Sequence, residues 1–381
     1  MVRPTTVPSL CDHTLDSLAQ QLLDWDEPAS HAPRLLRAFY QSHGHPDWST
    51  QPISRKLQHR LATDVAPRSS KLLTTHTSAD GTQKLLLSFD TGTVESVLMP
   101  GHRPGVAAGC ISSQIGCAMG CDFCASTRDG FVANLTAGQI IDQFLHLRHH
   151  AAAIGRRLQT VVFMGMGEPM LNLPAVIEAI ARMTHSSMGN LGAGRITVST
   201  VGIVPGIDAL AACGHKVQLA LSLHAPDDPT RARLVPMNRR YGIDEIMAAA
   251  KRYQQRTGRF VNIEYCLLNE INDSPDHARQ LARLMEGFRA HVNIIPYNPI
   301  GPALSGVNYQ RPTPQRLEQF VQILRDHAVV THTRHPRGDQ INAACGQLRR
   351  QSITTPAVAD GPAVPMAQSR PTGPARESVQ S

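Results

Sequence analysis

Over the first sixty-five residues or so, apolar positions recur at helical spacing: Leu15, Leu18 and Leu22, then Leu35, Leu36 and Phe39. Side chains three and four positions apart share one face of a helix, so this pattern predicts a small helical domain over residues 1–70. The period then changes. KLLLSFDTGTVESVLMP holds two β-rich stretches around Asp90-Thr91-Gly92, a turn signal that predicts a β-hairpin within a connector at 71–104.

From about residue 105, short runs rich in apolar and β-branched residues repeat: VAAGCISS, TVVFMG, RITVSTVG, KVQLALSLH, FVNIEYCLL and HVNIIPY. Longer helical stretches lie between them, at 136–150, 174–184, 243–256 and 275–289. Strand and helix in alternation imply right-handed βαβ units on a parallel sheet. Six strands are too few for a closed eight-stranded barrel. The expected fold is therefore α/β, an open or partial β/α barrel over 105–350, with ligands at the carboxyl ends of its strands. Residues 351–381, rich in Pro, Ala, Ser, Thr and Gln, read as a disordered tail.

Composition narrows the class. The 381-residue chain is 41% hydrophobic and 18% charged, ordinary for a soluble protein. No stretch is apolar for long enough to span a membrane, and the N-terminus lacks a secretory layout, so a cytoplasmic protein without membrane partners is expected. The formal charge is +7, with 32 Arg against 5 Lys. The guanidinium fork suits phosphate, which admits an RNA partner. Arg34, Arg37, Arg55, Lys56 and Arg60 are candidate phosphate contacts.

The chemistry sits in the cysteines and the strand ends. Cys117, Cys121 and Cys124 cluster just after a strand; Cys110 lies upstream and Cys345 near the C-terminus, while Cys11, Cys213 and Cys266 are scattered. Soft thiolates select zinc or iron–sulfur centres. Structural zinc wants four closed ligands, whereas three thiolates on a four-iron cube leave one iron open. Gly167 and Glu168 end the second strand, where glycine admits close approach and the carboxylate can anchor an ammonium group. Ser199 ends the third strand, Ser222, Leu223 and His224 the fourth, and Asn298 follows the sixth. Small polar groups in such a ring suit a ligand bearing hydroxyl, amine and carboxylate groups.

The Cys117–Cys124 spacing resembles the C-x3-C-x2-C loop of the radical S-adenosylmethionine superfamily. SSQIGCAMGCDFC, GMGEP, STVGIVPG, LSLHAP, IPYNP and AACGQL, in that order, resemble the RlmN/Cfr family of RNA adenine methyltransferases over roughly residues 85–350. The resemblance implies a [4Fe-4S] cluster on Cys117, Cys121 and Cys124, with S-adenosylmethionine held by Gly167, Glu168, Ser199, Ser222, Leu223, His224 and Asn298. It implies two S-adenosylmethionine molecules per turnover, one methylating Cys345 and one yielding a 5′-deoxyadenosyl radical that activates that methyl group. The methylene radical then adds to adenine, Glu95 takes the ring proton, and Cys110 frees the product by forming a disulfide with Cys345.

The expected substrate is an adenosine of 23S ribosomal RNA, and possibly of transfer RNA, methylated at carbon-2. Carbon-8 methylation, the Cfr-type antibiotic-resistance reaction, stays open, as does a metal-stabilised RNA-binding protein without turnover. A flavodoxin- or ferredoxin-type electron donor and a monomeric state are expected. Two departures from RlmN members stand out: Gln340 and Asn342 replace acidic residues, and two extra residues separate Glu95 from Cys110.

Overall fold

A computed structural model describes residues 8–348 apart from Pro67, His102, His335 and Pro336; the tail expected at 351–381 lies outside the described residues. Three helices come first: α1 (Leu15–Asp24), α2 (Ala32–Gln41) and α3 (Arg55–Thr63). The hydroxyls of Thr14 and Ser54 accept from backbone N–H groups in the first turns of α1 and α3, and a proline opens α2. Leu18, Leu22, Leu35, Leu36 and Phe39 are fully buried.

The strands are β1 (Lys71–Thr77), β2 (Gln83–Phe89), β3 (Gly92–Pro100), β4 (Val106–Cys110), β5 (Gln114–Gly116), β6 (Phe131–Asn134), β7 (Arg157–Phe163), β8 (Ile196–Thr200), β9 (Gln218–Ser222), β10 (Val261–Leu267), β11 (Ala290–Pro296) and β12 (Thr331–Thr333). Ten of them form one sheet in the order β1-β2-β3-β4-β7-β8-β9-β10-β11-β12, with β1 and β12 at its two edges. From β4 onward every pairing is parallel. The architecture is thus an open β/α barrel of the radical S-adenosylmethionine type. The hairpin of β2 and β3 belongs to this sheet: β3 pairs antiparallel with β4, setting Val97 opposite Cys110.

Seven helices cover the parallel strands: α4 (Ala137–Ala153), α5 (Leu173–Thr184), α6 (Val204–Ala212), α7 (Asp228–Leu234), α8 (Ile243–Thr257), α9 (Pro275–Leu284) and α10 (Pro314–Asp326). Strands β5 and β6 pair apart from the main sheet, and the loop between them carries the three clustered cysteines. No described helix is long and apolar enough to cross a membrane.

Buried polar contacts tie the N-terminal helices to the barrel. Arg182 on α5 donates to the carbonyls of Cys11 and Asp12, at 2.6 and 3.2 Å. Asp142 on α4 is fully buried and pairs with Arg68 at 2.9 Å, while also accepting from the backbone N–H groups of Ser69 and Ser70. Of the candidate phosphate contacts, Arg34 bonds the Pro52 carbonyl, Arg37 reaches Ser187, and Arg60 lies over the Trp25 ring.

Removing one member of a buried pair strands the other charge, at a cost of about 3–5 kcal/mol. Arg68→Met should lower the unfolding free energy from urea titration by that much, and an unchanged midpoint would show that Asp142 does not depend on Arg68. His146 adds a pH dependence. Its ring lies 3.0 Å from Ser70 Oγ and 3.7 Å from Asp142, yet burial and Arg68 outweigh that carboxylate and push its pKa down to about 3. The unfolded ring takes a proton near pH 6.5. Its contribution is therefore complete above that value and is lost as pH falls toward 3, at about 1.4 kcal/mol per pH unit. His146→Gln should make the acid limb of stability against pH shallower by that slope.

Candidate active site

The carboxyl ends of the parallel strands surround an open-sided cavity of about 150 Å³. Cys117, Cys121, Cys124, Gly167, Glu168, Ser199, Ser222, His224 and Cys345 all line it. Residues from three strand ends and two loops thus share one chamber, although the sequence scatters them over more than two hundred positions.

The cysteine loop leaves β5 through Gly116 at φ +73°, where a Cβ would stand 1.8 Å from the Gly130 carbonyl oxygen. Only glycine allows that approach between β5 and β6. The Cys124 N–H donates to the Cys121 carbonyl, and Thr127 Oγ1 donates to the carbonyl of Cys124 at 2.9 Å, closing the turn. Burial drives the thiol of Cys117 up to about 12 and those of Cys121 and Cys124 above their ordinary value. As thiolates, the three need a strongly positive partner.

Among the described residues, no three metal-ligating side chains stand close enough to share one ion. Ligands on a single zinc, each about 2.3 Å from it, must lie within about 4 Å of one another. A four-iron cube instead gives each thiolate its own iron.

Glu168 is buried, with Oε1 accepting from the Met170 N–H and Oε2 from the Val201 N–H; burial lifts its pKa to about 7. Gly167 has φ +98°, and a Cβ there would meet Gln114 at 2.5 Å. Ser199 and Ser222 face each other, hydroxyl to hydroxyl, at 3.2 Å. His224 adopts φ +62° and accepts at Nδ1 from the Cys266 N–H, which fixes a neutral ring; burial first, then Arg231, push its pKa down to about 3.

Four sequence candidates stand behind the lining. Leu223 is buried and offers its carbonyl to the fully buried Arg231. Asn298 donates to the Cys345 carbonyl at 3.2 Å and so holds the loop of that cysteine. Cys110, at the end of β4, has its pKa raised by burial and, second, by the charge of Cys345. Glu95, on the β2–β3 hairpin, is fully buried and paired with Lys84 at 3.0 Å, because β3 lies inside the main sheet. Lys84 also donates to the Asn342 carbonyl, three residues before Cys345.

Every cysteine among the described residues is a free thiol, so the implied Cys110–Cys345 disulfide is absent from this state. Two residues overlooked in the sequence also line the cavity, Glu264 and Cys266. Both lie in the recognised strand run FVNIEYCLL, and alternation along β10 would have turned them to the same face.

A strand-end chamber with three thiolate donors in one loop defines the class. Residues 111–282 match the family model of the radical SAM superfamily. The probable dual-specificity RNA methyltransferase RlmN 1 of Opitutus terrae is 52% identical over 343 residues, covering 90% of this chain and 97% of that protein. Its counterpart from Symbiobacterium thermophilum is 42% identical over 89% of this chain and 90% of its own length. The crystal structure of a radical SAM methyltransferase from Sphaerobacter thermophilus superposes with a TM-score of 0.85 at 40% identity, covering 90% of this chain and all of that one. The chain belongs to the RlmN family and is a radical S-adenosylmethionine RNA methyltransferase.

The Gly116 contact gives a direct test of the cluster loop. Gly116→Ala should lower iron and acid-labile sulfide per chain several-fold while the far-ultraviolet circular dichroism stays that of the wild type. Full iron loading would show that the loop can form without that close approach.

Proposed function

We propose that the chain methylates carbon-2 of an adenosine in 23S ribosomal RNA, and also of a transfer RNA, with Cys345 as the methyl carrier. One observation carries this reading. Cys345 faces the cavity beside the three clustered cysteines, and the thiol of Cys110, from the opposite side of the sheet opening, feels its charge. A binding protein held together by a cluster needs neither thiol.

In this reading Cys117, Cys121 and Cys124 hold a [4Fe-4S] cluster, while Gly167, Glu168, Ser199, Ser222, Leu223, His224 and Asn298 shape the S-adenosylmethionine site. Two cofactor molecules are used per turnover. The bound cluster supplies the electron that makes a 5′-deoxyadenosyl radical from one of them, and a flavodoxin- or ferredoxin-type donor restores it. The Cys345 thiolate takes a methyl group, becoming S-methylcysteine. The 5′-deoxyadenosyl radical would take a hydrogen atom from that methyl group, and the carbon radical left would add to the adenine; the adduct would then give its ring proton to Glu95 and its unpaired electron to an acceptor such as the oxidised cluster. The Cys110 thiolate then attacks the Cys345 sulfur and releases the methylated base as a transient disulfide forms.

Lys84 fits the role given to Glu95, since its charge favours the carboxylate form of a buried group. Residues 1–70 grip RNA through the exposed Arg34, Arg37, Arg55 and Lys56, and the protein acts as a cytoplasmic monomer. The dual-specificity names of the relatives support two RNA substrates.

The test is expression in a host lacking its own carbon-2 methylating enzyme, with Cys345→Ala as control, followed by nucleoside mass spectrometry of separated ribosomal and transfer RNA. The expected result is 2-methyladenosine in both fractions, absent with the variant. 8-Methyladenosine would move the chain to the Cfr branch.

A further inference from the structure

The methyl-accepting sulfur has a requirement that none of the assigned residues meets. Only a thiolate is an effective nucleophile toward a methyl group. Cys345 is exposed where it lines the cavity, yet the protein around it displaces water from the thiol and, with the charge of Glu264, raises its pKa above the ordinary 9.0. A neighbouring group must take its proton.

The carboxylates and imidazole lining the cavity are few. Both oxygens of Glu168 already accept backbone N–H groups. His224 uses Nδ1 to accept from the Cys266 N–H, so it has no lone pair left for a proton. Glu264 differs. Its Oε1 accepts from Asn293 Nδ2 at 2.8 Å, and its other oxygen has no hydrogen-bond partner among the described residues.

The backbone aims this carboxylate into the chamber. Glu264 stands in register with Ser222 on β9 and Asn293 on β11, so the three side chains form one row across adjacent strands. The Glu264 carbonyl accepts the N–H groups of Leu223 and His224, at 3.0 and 3.4 Å, which pins the residue where β9 ends. The side chain is buried at 5% exposure and lines the same cavity as Cys345. After burial itself, the Glu264 charge is the largest influence on the Cys345 thiol. The other groups in play are Arg334, which acts on both, Cys124, which acts on Cys345 more weakly, and the thiols of Cys110 and Cys266, each raised by the charge of Cys345.

We infer that Glu264 is the proton acceptor for Cys345 in the methyl-capture step. The inference rests on the reading of Cys345 as methyl carrier. The thiol proton passes to a Glu264 oxygen. The freed sulfur pair forms a bond to the methyl carbon of S-adenosylmethionine, and the sulfonium–methyl bond breaks, leaving its electron pair on the sulfur of S-adenosylhomocysteine. No electron donor is consumed. An ionised Glu264 opposes a thiolate beside it, and protonating it removes that opposition without changing the net charge of the pair. The two groups therefore share one proton and titrate as a unit.

The test is the pH dependence of Cys345 alkylation by iodoacetamide, read on the Cys345 peptide by mass spectrometry. The wild type should show two rises, one where the pair loses its first proton and a second at alkaline pH. Glu264→Gln keeps an oxygen to accept from Asn293 but cannot take a proton. It should lose the first rise and react at least tenfold more slowly at pH 7. Glu264→Asp, with a carboxylate one methylene shorter, should keep the first rise at a lower rate, and it serves if the glutamine variant does not fold.

A Glu264→Gln protein alkylated as fast as the wild type or faster would overturn the assignment, because it would make Glu264 only a repelling charge. Alkylation needs neither cluster nor cofactor. If the wild type shows both rises but never gains S-methylcysteine on incubation with S-adenosylmethionine, the carrier reading fails and the proton pairing stands. If the carrier reading holds, methyl incorporation at Cys345 should fall at least tenfold in Glu264→Gln at unchanged iron content.

Discussion

The site depends on the return of residues 337–348 across the open side of the sheet. A barrel lacking its last strands leaves its strand ends exposed to water, and no thiol there would be desolvated. The returning segment changes that, and it is held by polar contacts along its length. The Gly338 N–H reaches Asp80, Lys84 holds the Asn342 carbonyl, and Asn298 holds that of Cys345. Gly346 accepts from the Ala125 N–H at 2.7 Å and Leu348 from Ser126 Oγ at 2.8 Å, both residues directly following the cysteine loop. One segment thus bridges the first strands, the cluster loop and the last parallel strands. Without it, Cys345 would not stand in the cavity and its charge would not reach Cys110.

That closure sets the electrostatic problem of the chamber. Burial raises all five relevant thiols, and it raises the carboxyls of Glu168 and Glu264 too. A chamber so built disfavours negative charge everywhere, so each anion requires its own compensation. The three loop cysteines are compensated by the iron–sulfur centre of the family. Glu168 is met by two backbone N–H groups and Glu95 by Lys84. Cys345 and Glu264 have Arg334 at a distance and each other, which is why their charges are coupled.

Much of this was legible in sequence, and the parts that were not have a common cause. The alternation of strands and helices gave the open β/α architecture, because parallel strands need crossovers and each crossover leaves a helical period. The cysteine loop and strand-end polar residues were legible because each is a local pattern. The burial of Glu95 was not legible because burial on β3 comes from pairing with β4 and from the returning C-terminal segment, both contacts between distant parts of the chain. Glu264 and Cys266 were missed for a different reason. The strand was recognised, but both of its faces are buried, so nothing in its composition says which face looks into the cavity.

The same reasoning explains why the polar row across β9, β10 and β11 survives in the barrel interior. Ser222, Glu264 and Asn293 occupy equivalent positions on neighbouring strands, where apolar side chains would pack at lower cost. Stability alone gives no reason for a carboxylate there: its single hydrogen bond to Asn293 does not offset the desolvation of a charge. Asn293 does, however, fix one oxygen and leave the other directed at the chamber. An arrangement that fixes one carboxylate oxygen and leaves the other without a hydrogen bond among the described residues is less suited to holding a fold together than to receiving a proton. The row is therefore better understood as part of the chemistry of the strand ends than as part of the barrel core.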